Sequence, residues 1–467
     1  MLVKHVGCAS SPTMTEVLKL KAKEELHQEV FRHQLSLFPP QEALKAKLVN
    51  WRITGYHQVF GRVYDSIGFP SSILKDLVIA RIVHPKSKLS TMRYLQRFLG
   101  ISLSVDKAYR FLDTLNKNQL VKTAFEFVKT KNTDVSLIFY DVTTLHFETD
   151  NQDELREKGY SKNHRSDVPQ ILIGLFVDHH GYPFDFDVFK GKTFEGHTFP
   201  GAIEKLLGKY DFPGLTVVAD AGMLSEDNLA FLSGLGKNFI VGARLKNLAD
   251  SLKAEIFCLD FKQAKIHQIR LKQNFREDCR LVIDYSPDRA KRDKLNREKT
   301  IEKLKIKLAK KRKLIHKHKY LAVEAGGRAV GLDQAKIKAD EKYDGLKGYL
   351  TNLKEKQTTL EEIVSRYHQL WKVEKAFRMS KTDLRERPIY HRLRKRIESH
   401  LLICFCSLLV MKETETILAK INLSLTAAIE ALSEVGEGKI TIGKTEFPIE
   451  KELDQDAKLI LNTFLGH

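Results

Sequence analysis

Five short β-rich runs, at residues 135–140, 171–178, 184–189, 215–219 and 239–243, constrain the fold of this chain more than any other feature. Each is rich in Val, Ile, Leu, Phe or Tyr, which pack well on a pleated surface, and each is short for a helix. His180-Gly181-Tyr182-Pro183 separates the second run from the third and predicts a hairpin. Stretches of helical character at 201–207 and 225–235 separate the last three runs. Three strands followed by helix, strand, helix and strand describe an α/β fold with a mixed sheet flanked by helices.

Three carboxylates stand in recognisable places on this scaffold. Asp141 follows the run ending at Tyr140, and Asp220 follows the run ending at Ala219. Gly222 permits a tight exit from the strand, and Ser225 is suited to cap the next helix. Strand-end carboxylates cap loops, but the carboxyl ends of strands are also where α/β sheets bind ligands. Glu374 lies in a predicted helix over 363–385, stopped before Pro388. Two strand-end aspartates and a helical glutamate converging on one point suit a pair of hard divalent cations. Such a pair activates a water or a 3′-hydroxyl for in-line attack on phosphate.

The glutamate helix carries more. Tyr367, Glu374 and Lys381 are spaced by seven, and Trp371 and Arg378 join them at i+4. One helical stripe then offers a carboxylate beside basic and aromatic groups, which suits metal and DNA phosphate together. The competing reading is a surface helix with Glu374 and Arg378 as an ordinary pair. Among rival acids, Asp185 and Asp187 alternate with Phe184, Phe186 and Val188 and read as the outward face of a half-buried strand. His179 and His180 read as solvated turn residues, and His400 as a packing residue.

Charge indicates the partner. The 467 residues carry a net charge of +19, which favours a polyanion. Residues 289–319 hold fifteen Lys or Arg against three acids and predict a long basic helix in contact with DNA backbone, with Lys303, Lys307, Lys310 and Lys313 on it. No run of 18 apolar residues predicts a spanning helix, so no membrane partner is expected. The five cysteines include no CxxC pair, which argues against zinc or a disulfide framework and fits a reducing cytoplasm. The divisions expected are a helical region over 1–130, a first core segment over 131–245, an insertion over 246–365, a second core segment over 366–412 and a tail over 413–467. The helices of 1–130 are read either as a DNA-docking unit or as a packing domain with a basic face.

Taken together, the motifs resemble a DDE transposase of a bacterial insertion sequence, in the subgroup named for a Tyr-x2-Arg-x3-Glu-x6-Lys signature. That signature reads here as Tyr367, Leu370, Glu374 and Lys381, flanked by Trp371, Phe377-Arg378 and Leu384-Arg385-Glu386-Arg387-Pro388. Phe139-Tyr140-Asp141-Val142-Thr143-Thr144, Gly159-Tyr160-Ser161-Lys162 and Asp220-Ala221-Gly222-Met223 also resemble the family. Leu370 replaces the signature arginine, and Glu195 stands two residues after Thr193 where the family often has aspartate. Related sequences carry a strand-rich segment ahead of a stretch like residues 2–7, and on that pattern Met1 is an internal or shortened start. The resemblance implies an RNase H-like core, split by the insertion, in which Asp141, Asp220 and Glu374 hold two magnesium or manganese ions. It implies that Tyr367 and Lys381 contact DNA, that the substrates are double-stranded DNA with terminal inverted repeats and target DNA, and that a homodimer assembles on DNA. The activity implied is cutting of element ends and joining of 3′-hydroxyls to target DNA. The alternatives are a decayed transposase that only binds DNA, and a metal-dependent nuclease without strand transfer.

Overall fold

The computed structural model describes residues 5–34, 47–70, 72–132, 135–159, 167–223, 225–271, 279–309, 318–323, 329–442 and 445–466, without the side chains of 27–34, 72, 223, 323 and 329. Contacts divide the chain into two compact units. One comprises Met1–Arg62, Lys88–Val105 and Ile417–His467, and the other Val63–Ser87 and Asp106–Thr416.

In the first unit, strand Lys47–Ile53 pairs with Gly436–Ile442, which pairs with Thr445–Glu450, all antiparallel. Sequence reading made residues 1–130 helical. The strand at 47–53 was hidden because its partner lies nearly the whole chain away. A side chain at Gly436 or Gly438 would run into the Trp51 indole at 2.8 Å, so these two glycines leave room for it. Helices Leu425–Ser433 and Gln455–Leu465 begin at Ser424 and Asp454, whose side chains accept the backbone N–H groups of Ala427 and Ala457.

The second unit is built on an eight-stranded sheet. Its strands are β1 (Leu137–His146), β2 (Gln170–Asp178), β3 (Pro183–Lys190), β4 (Thr216–Ala219), β5 (Asn238–Ala243), β6 (Ile266–Arg270), β7 (Arg280–Tyr285) and β8 (Leu346–Thr351). They lie in the order β3-β2-β1-β4-β5-β8-β7-β6. The first three pair antiparallel, and β4 and β5 continue parallel to β1. This 3-2-1-4-5 arrangement is the mixed sheet of an RNase H-like fold. The three strands from residues 246–365 extend that same sheet beyond β5. The expected hairpin joins β2 to β3. Asp178 Oδ1 accepts the N–H groups of His180 and Tyr182, and Gly181 takes the positive φ of 86° that the turn needs.

Helices cover both faces. They are α1 (Lys117–Lys131), α2 (Glu195–Lys209), α3 (Glu226–Gly234), α4 (Pro287–Ala309), α5 (Leu360–His368), α6 (Trp371–Arg378) and α7 (Arg394–Leu418). β2 is buried from end to end, as a strand covered on both sides must be. Helix α2 sets Thr198 against Tyr140, Oγ1 to Oη at 3.0 Å, and Phe199 against its ring. Gly174 makes this possible, since a Cβ there would stand 2.3 Å from the Tyr140 hydroxyl. Beyond β3, the rings of Phe125, Phe184, Tyr210 and Phe212 form an aromatic cluster.

Asp185 and Asp187 were expected to face outward, but both are buried. Lys209 pairs with Asp185 at 2.8 Å, and Lys117 and Lys205 bracket Asp187 at 3.1 and 3.3 Å. Buried acids need such partners, and the lysines come from helices that the strand pattern does not reveal. The basic helix α4 is described to Ala309. Lys319 lies in a turn leading to a strand at Leu321–Val323, instead of continuing the helix. The apolar stripe of α4 explains its seat: Ile301, Leu304 and Leu308 pack on Tyr320, Leu321, Leu332 and Ile337. No helix among the described residues is long and apolar enough to cross a membrane.

Candidate active site

The β1–β4 ladder brings the two aspartates together. Tyr140 pairs with Ala219, and the next residue after each is an aspartate. Neighbouring strands lie about 4.8 Å apart, so Asp141 and Asp220 stand side by side where the parallel ladder ends. Asp141 is not at the end of its strand, as the apolar run suggested. The β-branched Val142, Thr143 and Thr144 carry β1 on to His146, paired with β2 throughout. The face is defined by register. Asp141 pairs with Leu175, which pairs with Phe186, whose ring meets Phe405 of α7 at 5.2 Å. Asp141 therefore faces α6 and α7, and Tyr140 faces α2.

The glutamate segment packs on that face, with α6 against β1 and β2. It is not one continuous α-helix. Thr359 caps α5 in a reciprocal box with Glu362. The hydrogen bonds then tighten to i−3 at Leu370, Lys372 and Val373, and loosen to a π-turn over Met379–Asp383. Val373, Ala376 and Phe377 are buried, which turns Glu374, Trp371 and Arg378 outward. Tyr367 goes the other way. It is 5% exposed and sends its hydroxyl into the sheet, where Oη donates to Asp220 Oδ1 at 3.3 Å. The five expected stripe residues do not share one surface, because the irregular turns reorient the helix. Lys381, within the π-turn, donates from Nζ to Thr143 Oγ1, two residues along β1 from Asp141.

Several groups here carry little signal in the sequence. Gly242 of β5 is one, since a Cβ there would stand 2.5 Å from the Tyr367 hydroxyl. Lys347 of β8 is another, with its ammonium over the Tyr367 ring at 4.5 Å. Burial and the nearby Arg289 push its pKa below the usual lysine range, while Asp220 and Glu374 pull the other way. Burial raises the Tyr367 hydroxyl, helped by the charges of Asp220 and Glu374. Glu374 thus acts on the same two groups as Asp220. Glu195, at the start of α2, reaches toward the turn after Asp220, its Oε2 3.9 Å from where a Cβ of Gly222 would lie. Three carboxylates are the right hard donors for a divalent cation. Among the described residues, however, no three His, Cys, Asp or Glu side chains are grouped closely enough to hold a metal.

Of the other predicted DNA contacts, Trp371 is 54% exposed, and Arg378, Lys303 and Lys307 are exposed. Lys310, Lys313 and the motif residues 160–162 lie outside the described residues.

A family model described as a transposase DDE domain matches residues 133–410. The chain belongs to this family of DDE transposases. Among solved structures, a piggyBac transposase synaptic complex with hairpin DNA is 11% identical, covers 81% of this chain and 76% of its own, and has a TM-score of 0.40. A Mos1 transposase paired-end complex with left transposon end is 9% identical, covering 37% of this chain and 60% of that one, with a TM-score of 0.17. A Mos1 mariner paired-end complex with Mn is 11% identical, with the same coverage and TM-score. No curated protein matches the chain.

Proposed function

We propose that this chain is the transposase of a bacterial insertion sequence, of the Tyr-x2-Arg-x3-Glu-x6-Lys subgroup. It cuts the ends of its element and joins the freed 3′-hydroxyls to target DNA by two-metal phosphoryl transfer. The observation that carries this reading is that Asp141 and Asp220 each follow the last register pair of a parallel ladder, Tyr140 with Ala219, with α6 packed against β1. Asp141, Asp220 and Glu374 would hold two magnesium or manganese ions, which when bound lower the pKa of water and stabilise the leaving oxygen. Tyr367 keeps the Asp220 carboxylate oriented through its hydrogen bond. Lys381 sits on β1 beside Asp141, where an ammonium would meet a phosphate entering the site. Trp371 and Arg378 stand exposed on the segment that carries Glu374, open to the same DNA. The helical part of residues 1–130 reads the inverted repeats, a homodimer assembles on the DNA, and the protein works in the cytoplasm.

Asp220→Asn tests the reading. It keeps the shape and removes the charge, so cleavage of a duplex carrying the element's end is lost while binding, which rests on Lys and Arg, persists. Cleavage that survives EDTA would rule out the metal mechanism. Buried Leu370, in place of the signature arginine, favours a second reading, a protein that holds element ends without cutting. Binding without cleavage by the unaltered protein, with magnesium present, would select it.

A further inference from the structure

A cleft of about 650 Å³ lies between the turn at Leu245–Asn247, the first turns of α4 and strand β8. Six Lys or Arg side chains line it against three aspartates. The aspartates are already engaged. Asp344 takes both terminal nitrogens of Arg297, at 2.5 and 2.7 Å. Asp340 accepts from Lys246, from Tyr320 at 2.5 Å and from Lys319 at 3.1 Å. Burial opposes its ionisation, but these hydrogen bonds outweigh burial and hold its pKa at about 2. Asp293 accepts the Gly345 N–H at 3.1 Å. The remaining cations, Arg244, Arg289 and Lys347, form no ion pair among the described residues. The lining therefore carries an excess of positive charge.

Position says which anion would fill it. Lys347 belongs to both the cleft and the site, for its ammonium lies over Tyr367, which bonds Asp220. Near Lys347, Arg289 begins a face of α4 that runs on through Asn296 and Thr300. Helical spacing continues that face into the exposed Lys303 and Lys307. A row of cations leading away from the carboxylates suits a chain of phosphates better than a single anion.

We propose that this cleft holds the backbone of the DNA strand next to the cleaved bond, with Arg244, Arg289 and Lys347 contacting successive phosphates. The inference rests on the DNA-cleaving reading and extends it to a path across the protein. Contacts of this kind position the strand without reading its sequence.

The test is binding of the full-length chain to a duplex of arbitrary sequence, without divalent metal, over a series of salt concentrations. Replacing Arg244, Arg289 and Lys347 together with Gln should lower the slope of log affinity against log salt by about 3. Arg244→Gln alone, at an exposed site that folding does not need, should lower it by about 1. Unchanged slopes in both variants overturn the proposal. So does displacement of the duplex by inorganic phosphate at equal ionic strength, which would mark a small-anion site. Unchanged slopes alongside loss of cleavage in Asp220→Asn would remove the cleft and keep the active site. Lowered slopes alongside intact cleavage in Asp220→Asn would do the reverse.

Discussion

Tyr367 reaches Asp220 because residue 242 has no side chain to block it. Its ring is held from the other side by Tyr349, with centroids 4.8 Å apart. Tyr367→Phe keeps the ring and deletes one hydrogen bond to a carboxylate. Such a bond is worth about 1.5–3 kcal/mol, so the cleavage rate should fall by roughly 10- to 100-fold if Asp220 must be oriented for reaction. Duplex binding should stay level. Gly242→Ala should reproduce the defect, because its methyl group would crowd the hydroxyl at 2.5 Å. Single-turnover cleavage by Tyr367→Phe at the unaltered rate would mean that the bond has no part in the reaction. Sequence reading gave Tyr367 a place on the DNA-facing stripe. Its burial depends on the irregular turns that follow α5, which residue spacing does not carry.

Segment α6 stands between two departures from α-helical hydrogen bonding, a tightening at 369–373 and the π-turn at Met379–Asp383. Irregular turns of this kind let a short helix shift or rotate as a unit. Glu374 is exposed on this segment, and no three ligands are yet grouped among the described residues, so filling the site with metal should draw the segment inward. Trp371 reports on that movement. Trp51→Phe leaves it as the one indole of the chain's two, and its emission should then shift when Mn²⁺ or Mg²⁺ is added. The same addition to a protein that also carries Asp220→Asn should leave the emission unchanged. A metal-independent spectrum in the first protein would mean that α6 does not move. The segment was expected as one helix because apolar spacing is insensitive to whether a backbone bond runs to i−3, i−4 or i−5.

The second unit as a whole is held by one sheet, to which chain segments more than 200 residues apart contribute. Its core is apolar and aromatic, without covalent cross-links: all five cysteines of the chain are free, Cys279, Cys404 and Cys406 buried and Cys8 and Cys258 exposed. A thiol reagent should therefore label two cysteines rapidly in the native protein and the other three on unfolding. A reductant should leave the melting temperature where it was. Rapid labelling of all five would show that the core around α7 opens readily in solution. Burial raises the Cys406 thiol well above its ordinary range, which further slows its reaction as a thiolate.

Local pattern was enough for the strand and helix types of residues 135–243 and the β2–β3 hairpin, because periodicity and turn chemistry act over a few residues. Membership of the DDE family also lay in local motifs. Strand order did not, since the position of β8 against β5, and of residues 47–53 against 436–442, depends on pairings between distant segments. The same holds for the ion pairs that bury Asp185 and Asp187, for the entry of Tyr367 and Lys347 beside the carboxylates, and for the cleft along α4. Each depends on which side chains meet across elements far apart in the chain. Propensity and spacing are blind to that meeting, and packing of the tertiary structure decides it.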